Sequence, residues 1–386
     1  MLTTLAINNY RSVLDLALPL GPLNVVTGAN GSGKSNLYRA LRLLAATARD
    51  DVVSVLAHEG GLESTFWAGP ETLTRAMRDG TAPVQGGPRQ GPRRLRLGFA
   101  GEDFGYLIEL GLPQPDSRTV FNLDPEIKRE MIWAGPALRP AALLVERQGP
   151  MVKARDDHGW RVLSEHLNSF DSLFSQVADA RATPEVVALR ERIRGWRFYD
   201  HFRTDAGAPA RQTRLGTRTP VLHHDGRDLA AALQTIREIG DGGALDAAIE
   251  DAFPGARLGI EAQPDGRLRL EFHQHGLLRP LTAAELSDGT LRYLLLVAAL
   301  LTPRPPSLMV LNEPENSLHP DLLPALARLI VAAAEQSQIW VISHATRLVA
   351  ALNEAPDCSG FQLEKELGET RVPALGLLTR PTWHWP

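Results

Sequence analysis

The stretch Gly28-Ala-Asn-Gly-Ser-Gly-Lys34-Ser35 reads G-x-x-x-x-G-K-S, a spacing that suits the cradling of phosphate groups. Its glycines let successive backbone N–H groups turn inward around an anion, and a following helix adds the positive end of its dipole. On that reading Asn30, Gly31, Ser32, Gly33 and Asn36 line the cradle, Lys34 reaches the β- and γ-phosphates, and the Ser35 hydroxyl ligates Mg²⁺. Leu23 to Thr27 before the loop is a short apolar, β-branched run suited to a buried strand. After it, Leu37, Ala40, Leu41, Leu44 and Ala45 recur at a helical period.

A second cluster of chemistry lies far along the chain. ELSDGTLRYLLLVAALL opens at Glu285 with a polar turn and continues as an apolar helix through Leu301, stopped by Pro303, Pro305 and Pro306. The strand Ser307–Leu311 follows, then Asn312, Glu313, Pro314 and Glu315, with Pro320 near the start of the next helix. A further buried strand in SQIWVISHATRLVAAL ends at Ser343 and His344. Helices alternating with apolar strands predict a mostly parallel sheet, and such sheets bind ligands at the carboxyl ends of their strands. Gly28, Asn312 and His344 each follow a strand end, so three distant segments are expected to converge on one nucleotide.

Together these segments resemble the ABC-type ATPase heads of the RecF/SMC group, in its compact RecF-like branch. NYRSVLDLALPLGPLNVVTGANGSGKSNL is similar to that group's N-terminal signature, and Leu286-Ser287-Asp288-Gly289-Thr290 to its signature loop. The resemblance implies a P-loop NTPase α/β fold: a mostly parallel core sheet, an antiparallel β subdomain and an inserted helical lobe. It makes Glu313 the catalytic glutamate, Asn316-Ser317-Leu318 the D-loop and His344 the switch histidine. It also implies two subunits sandwiching two ATP molecules, with Ser287 and Gly289 contacting a γ-phosphate in trans. Arg11, in an element that lies near the nucleotide in this group, is a candidate phosphate contact; a strand-end arginine without that role is the other reading.

One position departs from the pattern. Asn312 stands where an aspartate is usual, keeping a carbonyl acceptor for Mg²⁺-bound water and losing the charge. A charge-assisted hydrogen bond is worth about 1.5–3 kcal/mol against roughly 0.5–1.5 for a neutral one. Loss of a general base costs more, about 10²–10⁴ in rate, and Glu313 is present. The expectation is weakened metal binding with slow hydrolysis retained; the alternative is an ATP-gated sensor or clamp with little turnover. No glutamine-loop residue is assigned, Glu63, Ser64 and Thr65 being the candidates in residues 57–70.

The remaining sequence bounds the rest. Of 386 residues, 44% are hydrophobic and 22% charged, values of a globular protein. No apolar run is long enough to span a membrane, no signal peptide is evident, and a single cysteine, Cys358, excludes an internal disulfide; a cytoplasmic location is expected. A net charge of −4 gives no global attraction to nucleic acid. Residues 78–94, rich in Gly, Pro and Arg, predict a solvated loop rather than a nucleic-acid contact. Hairpins are predicted with turns at Gly101-Glu-Asp and Pro264-Asp-Gly, and amphipathic helices in TPEVVALRERIRGWRFYDHF and DGRDLAAALQTIREIG. The expected organisation is an N-terminal half of the head (1–162), a helical lobe (163–254) and a C-terminal half (255–386). Without sustained heptads, long coiled-coil arms are not expected. His223-His224-Asp225 reads as ordinary loop chemistry and Trp383-His384-Trp385 as a docked tail. The resemblance implies an ATP-dependent homodimer acting on DNA or on a partner such as a separate nuclease, in repair or anti-phage defence. No acidic cluster announces a fused nuclease.

Overall fold

Apolar residues that alternate with polar ones build most of the first half into antiparallel sheet. The computed structural model describes residues 1–86, 91–177, 179, 181–376 and 379–386, so residues 87–90 of the expected loop 78–94 lie outside the described residues. The chain divides into two units: residues 1–21, 28–196 and 361–386 form the first, and 22–27 and 197–360 the second.

The first unit holds an eight-stranded antiparallel sheet in the order Val13–Pro19, Leu2–Tyr10, Leu95–Gly101, Phe104–Gly111, Glu126–Ala134, Leu143–Gln148, Met151–Asp156, Gly159–Ser164. Leu95, Leu97 and Phe99 are fully buried on one face, and on the other Ala100 is buried as well, so that only Arg96, paired with Glu109, is part-exposed along this strand. The hairpin expected at Gly101 pairs Ala100 with Gly105. Trp383 packs against Trp133, ring centres 5.7 Å apart and planes tilted by 60°, and the Trp385 indole N–H donates to Asp15 at 2.9 Å.

An ion pair sits inside this unit. Arg147 and Glu130 are both fully buried and meet at 2.9 Å. Glu130 also accepts from the Tyr106 hydroxyl, the Ser172 hydroxyl and the Leu173 N–H. Arg147 donates to the carbonyls of Gly149, Asn168 and Asp171. Burial beside the Glu130 charge pushes the Tyr106 hydroxyl well above its ordinary value.

In the second unit four parallel strands stand side by side: β1 (Leu23–Gly28, of which Leu23 to Thr27 belong here), β2 (Arg197–Tyr199), β3 (Leu308–Asn312) and β4 (Gln338–Ile342), in the order β2-β3-β4-β1. Against them packs a helix, Asp288–Leu300, whose residues from Leu291 to Leu300 are all buried, as its apolar circumference requires. The hairpin expected at Pro264-Asp-Gly pairs Arg257–Ala262 with Arg267–His273.

The expected 163–254 lobe is not one body. Helices Leu173–Gln176 and Pro184–Arg194 belong to the first unit, Leu229–Ile239 and Gly242–Ala252 to the second. The cause is local: the helix expected to run through TPEVVALRERIRGWRFYDHF caps at Gly195, and Arg197-Phe-Tyr pairs in parallel with Met309-Val-Leu as β2. Aromatic residues fit a pleated surface better than a helical one. Among the described residues no helix is long and apolar enough to cross a membrane.

Arg147→Met, by leaving the Glu130 carboxylate uncompensated in the interior, is expected to destabilise the chain by about 3–5 kcal/mol. Urea unfolding measures this, and a loss below about 1 kcal/mol would contradict the buried pair.

Candidate functional site

The phosphate-binding motif folds as a loop between β1 and a helix, Lys34–Thr47. Gly28, Gly31 and Gly33 take positive φ of 146°, 79° and 109°, a backbone that side chains rarely adopt. Space adds a second demand at Gly33, where a Cβ would lie 2.1 Å from the Thr370 hydroxyl oxygen. The helix begins without a side-chain cap, which leaves its first N–H groups available to an anion. Lys34 folds back to donate to the carbonyls of Gly28 (2.6 Å) and Ala29 (3.1 Å), and the buried Ser32 Oγ has no hydrogen-bond partner. Asn30, Gly31 and Ser35 are exposed. Open space around Gly31, the free helix start and the orphaned Ser32 hydroxyl fit a phosphate chain.

A relay of hydroxyls braces this loop. Asn36 Nδ2 donates to Ser12 Oγ at 2.7 Å, Ser12 Oγ lies 2.6 Å from Thr370 Oγ1, and Thr370 donates to the Ser32 carbonyl at 2.8 Å. Because Thr370 has one hydroxyl proton, Ser12 is the donor between them. Asn36 thus supports the loop from behind. Arg11, at φ 51°, directs its guanidinium to Glu59 at 2.8 Å, and Glu59 also accepts from the Tyr10 hydroxyl at 2.6 Å. Burial, reinforced by Glu59, holds the Tyr10 hydroxyl far above its usual range. Burial opposes the Arg11 charge, yet the hydrogen bond to Glu59 leaves it above the ordinary value. Of the glutamine-loop candidates, Ser64 and Thr65 bond to carbonyls of their own turn, and Glu63 is exposed.

In the second unit the parallel register aligns Val26, Ile342 and Asn312; β3 and β4 end in this row, and it holds the last residue of β1 that pairs with β4. The chain leaves β1 into the phosphate loop, β4 into Ser343 and His344, and β3 into Glu313. Glu313 has φ 49°, uncommon outside glycine, and its N–H donates to the Ile342 carbonyl at 2.8 Å. Its carboxylate accepts from Asn316 Nδ2 at 2.8 Å and lies 3.8 Å from His344 Nδ1. Asn312 donates its amide to Asp200 Oδ1 at 2.9 Å. Asn312 and Asp200, paired in the second unit, offer carbonyl and carboxylate oxygens, donors of the hard kind that Mg²⁺ takes.

Ser287 caps the helix Asp288–Leu300 by accepting from the Thr290 N–H at 3.1 Å. Gly289 faces Ser317: a Cβ there would sit 2.8 Å from the Ser317 carbonyl oxygen. Glu285 is held down to about 2 by Arg279 and by the Thr282 N–H and hydroxyl. His223 pairs with Asp225 at 2.7 Å.

Four supporting residues were not anticipated from sequence. Arg211 bonds the carbonyls of Ala283, Ala284 and Leu286 and pairs with Asp288 at 2.7 Å, clamping the signature loop. Arg292, 2% exposed, donates to the carbonyls of Glu313 and Pro314 and so holds the turn that carries the glutamate. Burial draws its guanidinium below the ordinary value, with Glu315 and Glu313 pulling the other way. Glu315 is buried and receives the Ser343 hydroxyl and the N–H groups of His344 and Ala345, which sets the histidine's backbone. Asp200 is the fourth. A lone arginine inside an apolar helical run was a signal for Arg292; nothing local marked Arg211.

A protein-family model described as "AAA domain, putative AbiEii toxin, Type IV TA system" matches residues 23–350. Over 44 residues the chain is 46% identical to the OLD nuclease of Thermus scotoductus, covering 11% of this chain and 8% of that protein. Over 97 residues it is 38% identical to the DNA replication and repair protein RecF of Brucella abortus, covering 23% of this chain and 24% of RecF. The chain therefore spans less than a quarter of the length of these curated relatives. Among solved structures, the Smc head bound to the C-winged helix domain of ScpA aligns over 98% of both chains at 14% identity and a TM-score of 0.49. The SMC head domain from Thermotoga maritima aligns over 97% of this chain and 99% of that one, at 14% identity and a TM-score of 0.46.

Thr370→Val keeps the shape of the side chain and removes the link between Ser12 and the Ser32 carbonyl. The expected loss is about 1–3 kcal/mol of stability, read from chemical denaturation, with weaker binding of a fluorescent ATP analogue. An unchanged unfolding midpoint and unchanged binding would show that the relay does not brace the loop.

Proposed function

We propose that this chain, which belongs to the AAA domain family that its residues 23–350 match, is a RecF/SMC-like ABC-type ATPase head that binds ATP with Mg²⁺ and hydrolyses it slowly. The observation that supports turnover is the Glu313 carboxylate, turned by a left-handed backbone, steadied by Asn316 and set 3.8 Å from His344.

In this reading Lys34 exchanges the Gly28 and Ala29 carbonyls for phosphate oxygens. The N–H groups of the loop and of the helix start hold the rest of the phosphate chain. Ser35 and Asn312 would hold Mg²⁺, which when bound would neutralise charge on the phosphates. Glu313 takes a proton from the attacking water as its oxygen bonds to the γ-phosphorus and the bond to ADP breaks. His344 senses the γ-phosphate. Ser287 and Gly289 act on the nucleotide of a second copy, which makes the working form a cytoplasmic ATP-dependent homodimer. The engaged dimer acts on DNA or on a separate effector such as a nuclease, in repair or phage defence.

Steady-state phosphate release with Mg²⁺-ATP tests this. Glu313→Gln is expected to lose about 10²–10⁴ in rate, and Lys34→Ala to lose ATP binding. If native and Glu313→Gln chains are equally silent while ATP binds and dimers form, hydrolysis is refuted and the chain is an ATP-gated sensor.

A further inference from the structure

An asparagine between a strand end and a catalytic glutamate leaves a metal-binding row one charge short, unless a neighbour supplies it. The neighbour is Asp200. It is the first residue after β2, and the pairing of Tyr199 with Leu311 brings it beside Asn312 at the end of β3. The Asn312 amide donates to Asp200 Oδ1 at 2.9 Å, and both residues are half-buried.

The chemistry of the pair explains the asparagine. Two carboxylates at that distance would repel each other. A carboxamide facing a carboxylate has no such conflict. Its N–H₂ side is fixed toward Asp200, which leaves the carbonyl Oδ1 as the acceptor on the opposite side. A carboxamide whose N–H is bonded to an anion is also a stronger acceptor at its oxygen. The row therefore carries one negative charge, as an aspartate at 312 with a neutral neighbour would, but displaced by roughly one strand spacing of about 4.8 Å. That displacement is well inside the screening length of about 8 Å at physiological salt.

We propose that Asp200 is a positioning residue for the metal: it orients and polarises Asn312 and supplies the negative charge that residue 312 lacks. The proposal rests on the nucleotide-hydrolase reading above. It makes Asn312 and Asp200 a functional pair divided between two strands rather than a decayed aspartate.

The test is a charge swap read by metal affinity. Mn²⁺ binding in the presence of ATP is followed by the electron paramagnetic resonance signal of free Mn²⁺, with Glu313→Gln as the parent so that turnover does not intrude. Asp200→Asn is expected to weaken Mn²⁺ binding by about 5–10-fold, the ratio between charge-assisted and neutral hydrogen bonds. The double variant Asp200→Asn with Asn312→Asp restores the charge to the other strand and is expected to recover affinity to within about 3-fold of the parent. Thermal unfolding by circular dichroism confirms that each variant is folded; a merely structural bond would move that midpoint and leave Mn²⁺ affinity unchanged. Equal affinity in Asp200→Asn and the parent, or a double variant as weak as the single, overturns the role of Asp200 alone. Absence of ATP-dependent Mn²⁺ binding in the parent itself removes the nucleotide reading, and this assignment with it.

Discussion

Parallel backbone pairing at a single register is the constraint on which the rest depends. With Ile342 and Asn312 in one row, β3 and β4 end together beside Val26 of β1, and each of those two endings is followed at once by a segment with chemical groups. No side chain needs to search for its place along the strand direction. A slip of one residue would turn every side chain of a strand to the other face. The buried runs of β3 and β4 make such a slip expensive, because their apolar residues are covered on both sides.

Beyond the row, placement passes to buried polar groups. Arg292 donates to the carbonyls of the turn after β3, and Glu315, itself in that turn, collects N–H groups from the segment after β4 through its Oε1. Both are costly to bury, and through these bonds they hold backbone where regular hydrogen bonding has ended, while Glu315 Oε2 is left buried without a partner. Glu313 needs this support, since its left-handed backbone is unfavourable for a residue with a Cβ.

Much of this was legible in the sequence, and the rest was hidden for identifiable reasons. The phosphate loop, the strand before it, both hairpin turns and the helix after Ser287 were readable because glycine placement and apolar period are local properties. The strand Arg197–Tyr199 was not. It is three residues long, follows a genuine helix, and its pairing partner lies more than a hundred residues away, so its residues read as the tail of the helix. With that strand went Asp200, and with Asp200 the reason for Asn312. The division at residues 196 and 197 was missed for the same cause. Arg11 shows the opposite case: its position was legible, and its guanidinium lies on Glu59, a residue the sequence reading had passed over. Arg211 and Thr370 act on loops distant in sequence, and no periodicity announces such partners.

The relay through Thr370 has a consequence for the order in which the chain acquires structure. Ser32 and Thr370 are 338 positions apart, and Ser12 and Thr370 are 358 apart. Contacts of such separation close very long loops, and the entropy of closing them must be met before the contacts can reward it. The phosphate loop's helix and strand are local and can form early, whereas the conformation that places its N–H groups waits for residues at the far end. During synthesis the glycine loop therefore emerges well before Thr370, 338 positions on from Ser32, and takes its final shape only once that residue is available.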